Sequence, residues 1–272
     1  MGFQIIEGCV RRLWVPMDTT STPTLYNGQL VKSTGDGVGP LAAASGVADT
    51  SGLQAIAGVV LGNNNKVPVY DSTVKTEKIT SVITQADQVA RNFMGVEGKY
   101  SKGDTQCFVE VGMIGPGTVL KAPIFGSATV HGTALTAQTV STGSTTGLGY
   151  TADACNFTPV ADLATSYCRQ GANAGVYRIS DDTSTTVETN DVAFPYDIAI
   201  GDKMVRAPLR PFGQSYIQIN STSGALGLWI DGTASPATNY FIVDVLELDL
   251  RESGNEHVIF TFHPCHFDKV RA

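Results

Sequence analysis

The sequence predicts an all-β protein: one or two β-barrel- or sandwich-like units with long extended arms and little helix. Three observations carry this expectation. Short apolar runs with alternating phase recur along the chain, bounded by Gly, Pro, Asn and Asp. Glycine is abundant, 29 of 272 residues, and much of it falls at those breaks. Helix signals are nearly absent; the best candidate is 84–92, where Thr84 suits a cap and Gln85 to Gln88 suit a first turn. Short strands at near-regular spacing with glycine turns are the pattern of barrels and sandwiches.

Taken in order, residues 1–24 read as an N-terminal arm. Residues 25–125 read as a β-barrel-like domain. It opens on Tyr26-Asn27-Gly28-Gln29-Leu30-Val31, an Asn-Gly turn ahead of a strand. A β-run over 55–61 stops at Gly62-Asn63-Asn64-Asn65, and further strands follow at 66–70 and 78–83. Lys102-Gly103-Asp104 turns the chain into Cys107-Phe108-Val109-Glu110-Val111, and Gly115-Pro116-Gly117 turns it into 118–124. Residues 126–147 are rich in Gly, Ser and Thr with His131 as their ionisable residue, and read as a linker or arm that needs a partner surface to become ordered. Residues 148–272 form a second β-rich domain, with strands expected at 176–179, 197–200, 216–219, 226–230 and 258–262 and the strongest at 240–250. In that last strand the alternation places Leu246, Leu248 and Leu250 toward a core.

Composition narrows the function. Charged residues are 16% of the chain, against about 25% in an ordinary soluble domain. Interface cores are depleted in Lys and Glu, so the shortage points to a surface covered by other proteins, the alternative being a compact secreted β-domain with a Ser/Thr-rich surface. The formal charge of −7 repels phosphate, which excludes nucleic acid as a direct partner. No apolar stretch is long enough to cross a membrane as a helix. The order of residues in 1–15 is not that of a signal peptide, so the chain is expected to be made and used without processing. Five cysteines at wide spacings, with no C-x-x-C pair, read as buried thiols, and Cys155 with Cys168 is the one pair placed to close a loop.

Few residues carry chemistry. His263-Pro264-Cys265-His266 is the nearest approach to a metal site, since zinc takes imidazole nitrogen and thiolate sulfur. In an extended strand His257 would lie about 20 Å from His263, and the alternative is a set of ordinary half-buried residues near a terminus. Asp181, Asp182, Glu188 and Asp191 match an oxygen-rich calcium loop in composition but not in spacing. Gly35-Asp36-Gly37-Val38-Gly39 lacks the Lys-Ser/Thr of a phosphate loop, and no G-x-S-x-G elbow occurs. No catalytic residue and no cofactor is expected. Trp14, Tyr26 and Trp229 are the aromatic candidates for core or interface anchors.

The first region resembles the head decoration (cement) proteins of tailed bacteriophages. The residues that carry the resemblance are Tyr26-Asn27-Gly28-Gln29-Leu30-Val31, Val47-Ala48-Asp49, Ala55-Ile56-Ala57-Gly58-Val59-Val60-Leu61-Gly62, Lys102-Gly103-Asp104, Val109-Glu110-Val111-Gly112 and Pro116-Gly117-Thr118-Val119-Leu120. These are strand-and-turn patterns, and residues 148–272 have no counterpart among them. The resemblance implies a non-enzymatic virion structural protein, made in the host cytoplasm and placed on the outer capsid surface. Its partners would be the major capsid protein and its own copies, as a homotrimer on a symmetry axis. Many modest contacts, multiplied by the lattice, would hold capsomers together against packaged DNA. A tail tube or head-fibre protein, a surface module binding host polysaccharide, and a β-barrel enzyme with a metal at the C-terminal histidines are the alternatives.

Overall fold

A computed structural model describes residues 2–8, 11–17, 24–33, 37–41, 56–61, 82–83, 108–125, 135, 137–152, 164–182, 187–207, 209–220, 226–229 and 241–267; side chains at some strand positions, Trp14 and Trp229 among them, lie outside this set. Strands of the first part are β1 (Gln4–Glu7), β2 (Arg11–Pro16), β3 (Leu25–Tyr26), β4 (Leu30–Ser33), β5 (Val38–Pro40), β6 (Ile56–Val60), β7 (Val82–Ile83), β8 (Phe108–Met113) and β9 (Val119–Phe125). There follow β10 (Gln138–Thr142), β11 (Gly149–Ala152), β12 (Ala164–Gln170), β13 (Tyr177–Asp182), β14 (Val187–Asn190) and β15 (Lys203–Ala207). The last are β16 (Gln214–Asn220), β17 (Gly227–Trp229), β18 (Phe241–Asp249) and β19 (His257–Phe262). The helical element among the described residues is a single 3-10 turn, Pro264–His266. The protein is all-β; the helix expected at 84–92 and the strand at 66–70 lie outside the described residues.

The strands build three main sheets and a small β3–β7 pair. The first, ordered β2-β8-β6-β4-β5, is antiparallel throughout. Every residue of β6 is buried, because Ile56 and Val59 join one core cluster while Ala57 and Val60 join another on the opposite face. A continuous apolar run is what a strand covered on both faces requires. The Asn27-Gly28 turn enters β4 as the sequence predicts. Gly28 sits at φ +75°, and its N–H donates to Val60 O at 2.8 Å, so the turn is stitched to β6.

The second sheet, β10-β11-β14-β13-β12-β15, is a closed barrel, since β15 pairs back onto β10 through Gln138 with Met204 and Thr139 with Lys203. Its lumen holds Val140, Tyr150, Ala152, Cys168 and Met204. The Cys168 thiol is free and buried; burial, then the charge of Asp202, pushes its pKa up. Cys155 lies outside the described residues.

The third sheet runs β1-β9-β17-β16-β18-β19, and β9 also pairs with β19 from 119 to 123, which curls the sheet back on itself. Its interior is the largest core among the described residues, with Leu120, Ile124, Ile217, Leu228, Phe241, Val243, Phe260 and Phe262. Tyr167, Val205, Ala207 and Leu209 of the barrel belong to the same cluster, so barrel and curled sheet share one core.

Four expectations change. Residues 2–8 and 11–17 are not a free arm: β1 pairs with β9, β2 pairs with β8 over six residues, and Phe3 is buried. Residues 138–142 are not a linker but β10, a stave of the barrel, because a narrow lumen accepts Val140 flanked by small residues. The boundary drawn between 25–125 and 148–272 is crossed by β9, which pairs in parallel with β17 at Leu228 with Ile124 and Trp229 with Phe125. Leu246 is 37% exposed while Leu248 and Leu250 are buried. A β-bulge between Val245 and Glu247 shifts the phase, so Phe241, Val243 and Val245 face inward before it and Leu248 and Leu250 after it.

Candidate functional site

One rim of the barrel carries an apolar surface on a loop that hydrogen bonds hold in place. Ser144 and Ile198 exchange two backbone bonds, 2.8 and 2.9 Å, so residues 191–202 run beside the β10–β11 turn. The expected strand at 197–200 reduces to this one bridge; the chain there is loop. Farther along, Asn190 N–H donates to Leu148 O and Phe194 N–H to Gly147 O. Gly147 sits at φ +68°, and a β-carbon on it would come within 2.6 Å of Phe194 O, so glycine is required for this approach.

The large side chains of the loop lie at its even positions and turn inward and outward by turns. Phe194 and Ile198 insert into the barrel core, and Val192, Tyr196 and Ile200 face outward at 55%, 63% and 75% exposure. The buried Asn173 side chain clamps the loop from below: its Oδ1 accepts from Tyr196 N–H at 3.0 Å, and its Nδ2 donates to the carbonyls of Tyr196 at 3.1 Å and Asp197 at 3.3 Å. Asp202, also buried, accepts from Ala199 N–H at 3.0 Å. Arg178 donates to Ala193 O and lies 5.7 Å above the Phe194 ring. A loop tied down in this way loses little conformational entropy when a partner covers it.

Beside it stands a fourth exposed apolar residue. Arg210 reaches Asp191 at 3.5 Å, which sets the 210–213 turn next to the start of the loop. Phe212 at its tip is 91% exposed and sits at φ +60°. The left-handed region costs a non-glycine residue about 1–2 kcal/mol, and the greater backbone entropy of glycine in the unfolded chain offsets part of any relief. Phe212→Gly is therefore expected to raise stability by about 0.5–1 kcal/mol, measured by urea denaturation.

The residues singled out in the sequence fall elsewhere. Trp14 lies on β2 opposite Glu110, Tyr26 on β3 opposite Val82, and Trp229 on β17 between Gln218 and Phe125, three different sheets. Tyr26 is half-buried and its N–H donates to Gln29 Oε1 at 2.7 Å, a turn contact. His263 Nδ1 accepts from Cys265 N–H at 3.3 Å, and His266 Nε2 accepts from Ile242 N–H at 2.8 Å. His266 packs against Phe241 and Phe262 as part of the core. These bonds occupy one lone pair on each ring, and among the described residues no three His, Cys, Asp or Glu are grouped to hold a metal ion. Asp182 and Glu188 are cross-strand neighbours in the β13–β14 hairpin, and Asp191 is taken by Arg210.

Tyr196 and Ile200 escaped the sequence reading because the inward and outward residues share one phase of 192–200. Valine, phenylalanine, tyrosine and two isoleucines all fall at even positions, so a period-two pattern does not separate the outer set from the inner one. No protein-family model, curated protein or solved structure matches this chain.

Proposed function

We propose that this chain is a virion structural protein that decorates and cements an assembled capsid, docking through the barrel rim. The observation that carries the reading is the outward set Val192, Tyr196 and Ile200 on a loop held by Asn173 and Asp202. Aromatic and aliphatic anchors on a rigid support are the makeup of binding hot spots. The low charge of the chain suits a surface that a lattice covers. The decoration-protein resemblance of the first region supplies the partner, the major capsid protein, with copies of the chain itself arranged about a symmetry axis.

The test is co-sedimentation of the purified chain with empty capsids of its phage, together with its mass in solution. A homotrimer bound at fixed stoichiometry is the expected result. Tyr196→Ala and Ile200→Asp are each expected to weaken capsid binding by about 30-fold or more, the size of a hot-spot loss near 2 kcal/mol, with urea midpoints near that of the parent. A chain that stays free of capsids, or that polymerises into tubes, overturns the reading.

A further inference from the structure

A cleft of about 790 Å³ opens on the outer face of the curled sheet, remote in sequence from the rim loop. Its floor is β9, where Lys121, Pro123 and Phe125 point outward while Leu120, Ala122 and Ile124 are buried. The β18–β19 turn and the start of β1 supply the rest of the lining. Adjacent rows across the sheet set Gln4 beside Lys121 and Asp249 beside His257. The Phe125 ring rests on Gly227, where a β-carbon would come within 2.6 Å of it. The size lies within the range of small-molecule sites, about 300–1,000 Å³.

The charges are nearly balanced. Asp249 is bound by Arg251 through both carboxylate oxygens, and that contact holds its pKa down to about 2. Glu256 is paired with Arg169, its second oxygen accepting from Gly254 N–H at 2.7 Å. Lys121 and Glu252, one charge of each sign, have no ion pair among the described residues. Gln4 and Asn255 add neutral amides. His257 Nδ1 is hydrogen-bonded to Asn255 O at 2.9 Å, which leaves Nε2 for a ligand. With Asp249 and Glu256 each matched by an arginine and Lys121 offsetting Glu252, the lining has no net charge to select an ion of either sign. Paired donors and acceptors around an apolar, partly aromatic floor complement a ring that carries hydroxyls at its rim and C–H groups on its face.

We infer that this cleft binds a neutral oligosaccharide, with a hexopyranose ring stacked on Phe125 and its hydroxyls shared among Gln4, Lys121, Glu252, Asn255 and His257. This binding needs neither the rim loop nor a capsid, so it stands or falls separately from the decoration role. The full chain is titrated calorimetrically with maltohexaose, cellohexaose and chitohexaose, and with inorganic phosphate and a heparin hexasaccharide as charged comparators. At least one neutral hexasaccharide is expected to bind one to one. Phe125→Ala is expected to weaken that binding at least tenfold. Because Phe125 also packs on Gly227, Gln4→Ala at an exposed position is the second variant, with a loss of several fold. Failure of all three neutral sugars, tighter binding of phosphate or heparin, or binding unchanged in both variants overturns the inference.

Discussion

Replacing Glu256 by alanine is expected to lower stability by about 3 kcal/mol, because it strands the Arg169 guanidinium in a largely dry site. The Glu256 side chain is 1% exposed and that of Arg169 is 12%. Arg169 leaves β12 of the barrel, donates from Nε to Leu250 O at 2.9 Å and from its terminal nitrogen to Glu256 Oε1 at 2.5 Å. Glu256 in turn shapes the β18–β19 turn, and its backbone carbonyl accepts from Ile124 N–H of β9. The pair thus ties the barrel to the curled sheet at the point where Tyr177 does the same, its hydroxyl accepting from Leu250 N–H at 3.0 Å. Breaking one partner leaves the other charged, desolvated and unmatched, whereas removing both relieves that penalty. The double variant Arg169→Met with Glu256→Met is accordingly expected to cost less than Glu256→Ala alone. Urea midpoints for Glu256→Ala, for the single variants Glu256→Met and Arg169→Met, and for the double variant check this. Equal and additive losses would mean that the pair is solvated and contributes as little as a surface ion pair.

That junction also shows what local sequence can and cannot specify. The strands at 108–113, 119–125, 214–220, 241–249 and 257–262 were legible, since each alternates and each ends at a Gly, Pro or Asn signal. So was the turn at Asn27-Gly28, where the chemistry of two residues suffices. Pairing across long separations was not. Nothing within 119–125 says that its partners are β1, β17 and β19, so a boundary drawn by composition at 126–147 cut through a shared core. The same stretch looked too poor in large side chains to fold, yet a six-stranded lumen demands small ones. In β18 the alternation was visible but its phase was not, because a single bulge residue reverses every side chain beyond it.

Of the candidate sites, the rim was hidden because its inward and outward residues share one phase, and the cleft by distance in sequence, since Gln4, Lys121 and His257 meet only through sheet register. The C-terminal histidines were visible as a cluster, but their spacing around Pro264 turns one imidazole into the core and the next against its own backbone. A cluster in sequence became two structural contacts. The physical reason lies in the aromatic neighbours Phe241 and Phe262, which form a pocket that an imidazole fills while capping an otherwise unpaired N–H at the start of β18.

That burial has a measurable consequence. The His266 pKa falls from the ordinary 6.5 to about 4, chiefly because burial disfavours the imidazolium and secondarily because His263 is close. Protonation at Nε2 would also set one N–H against the Ile242 N–H. Between pH 6.5 and 4 the unfolded chain therefore binds a proton that the folded chain refuses. Stability contributed by this group is complete above pH 6.5 and is lost as pH falls toward 4, by on the order of 3 kcal/mol. Below pH 4 both states are protonated and the slope from His266 vanishes. Asp249 acts in a separate and lower window, since its carboxyl is depressed from 3.8 to about 2 and its contribution disappears only as pH drops through that range. His266→Gln keeps an acceptor for the Ile242 N–H without a titrating ring. Urea midpoints at pH 7, 5.5 and 4.5 should fall steeply in the parent chain and much less in the variant. Parallel curves would place the His266 ring in water and remove it from the core.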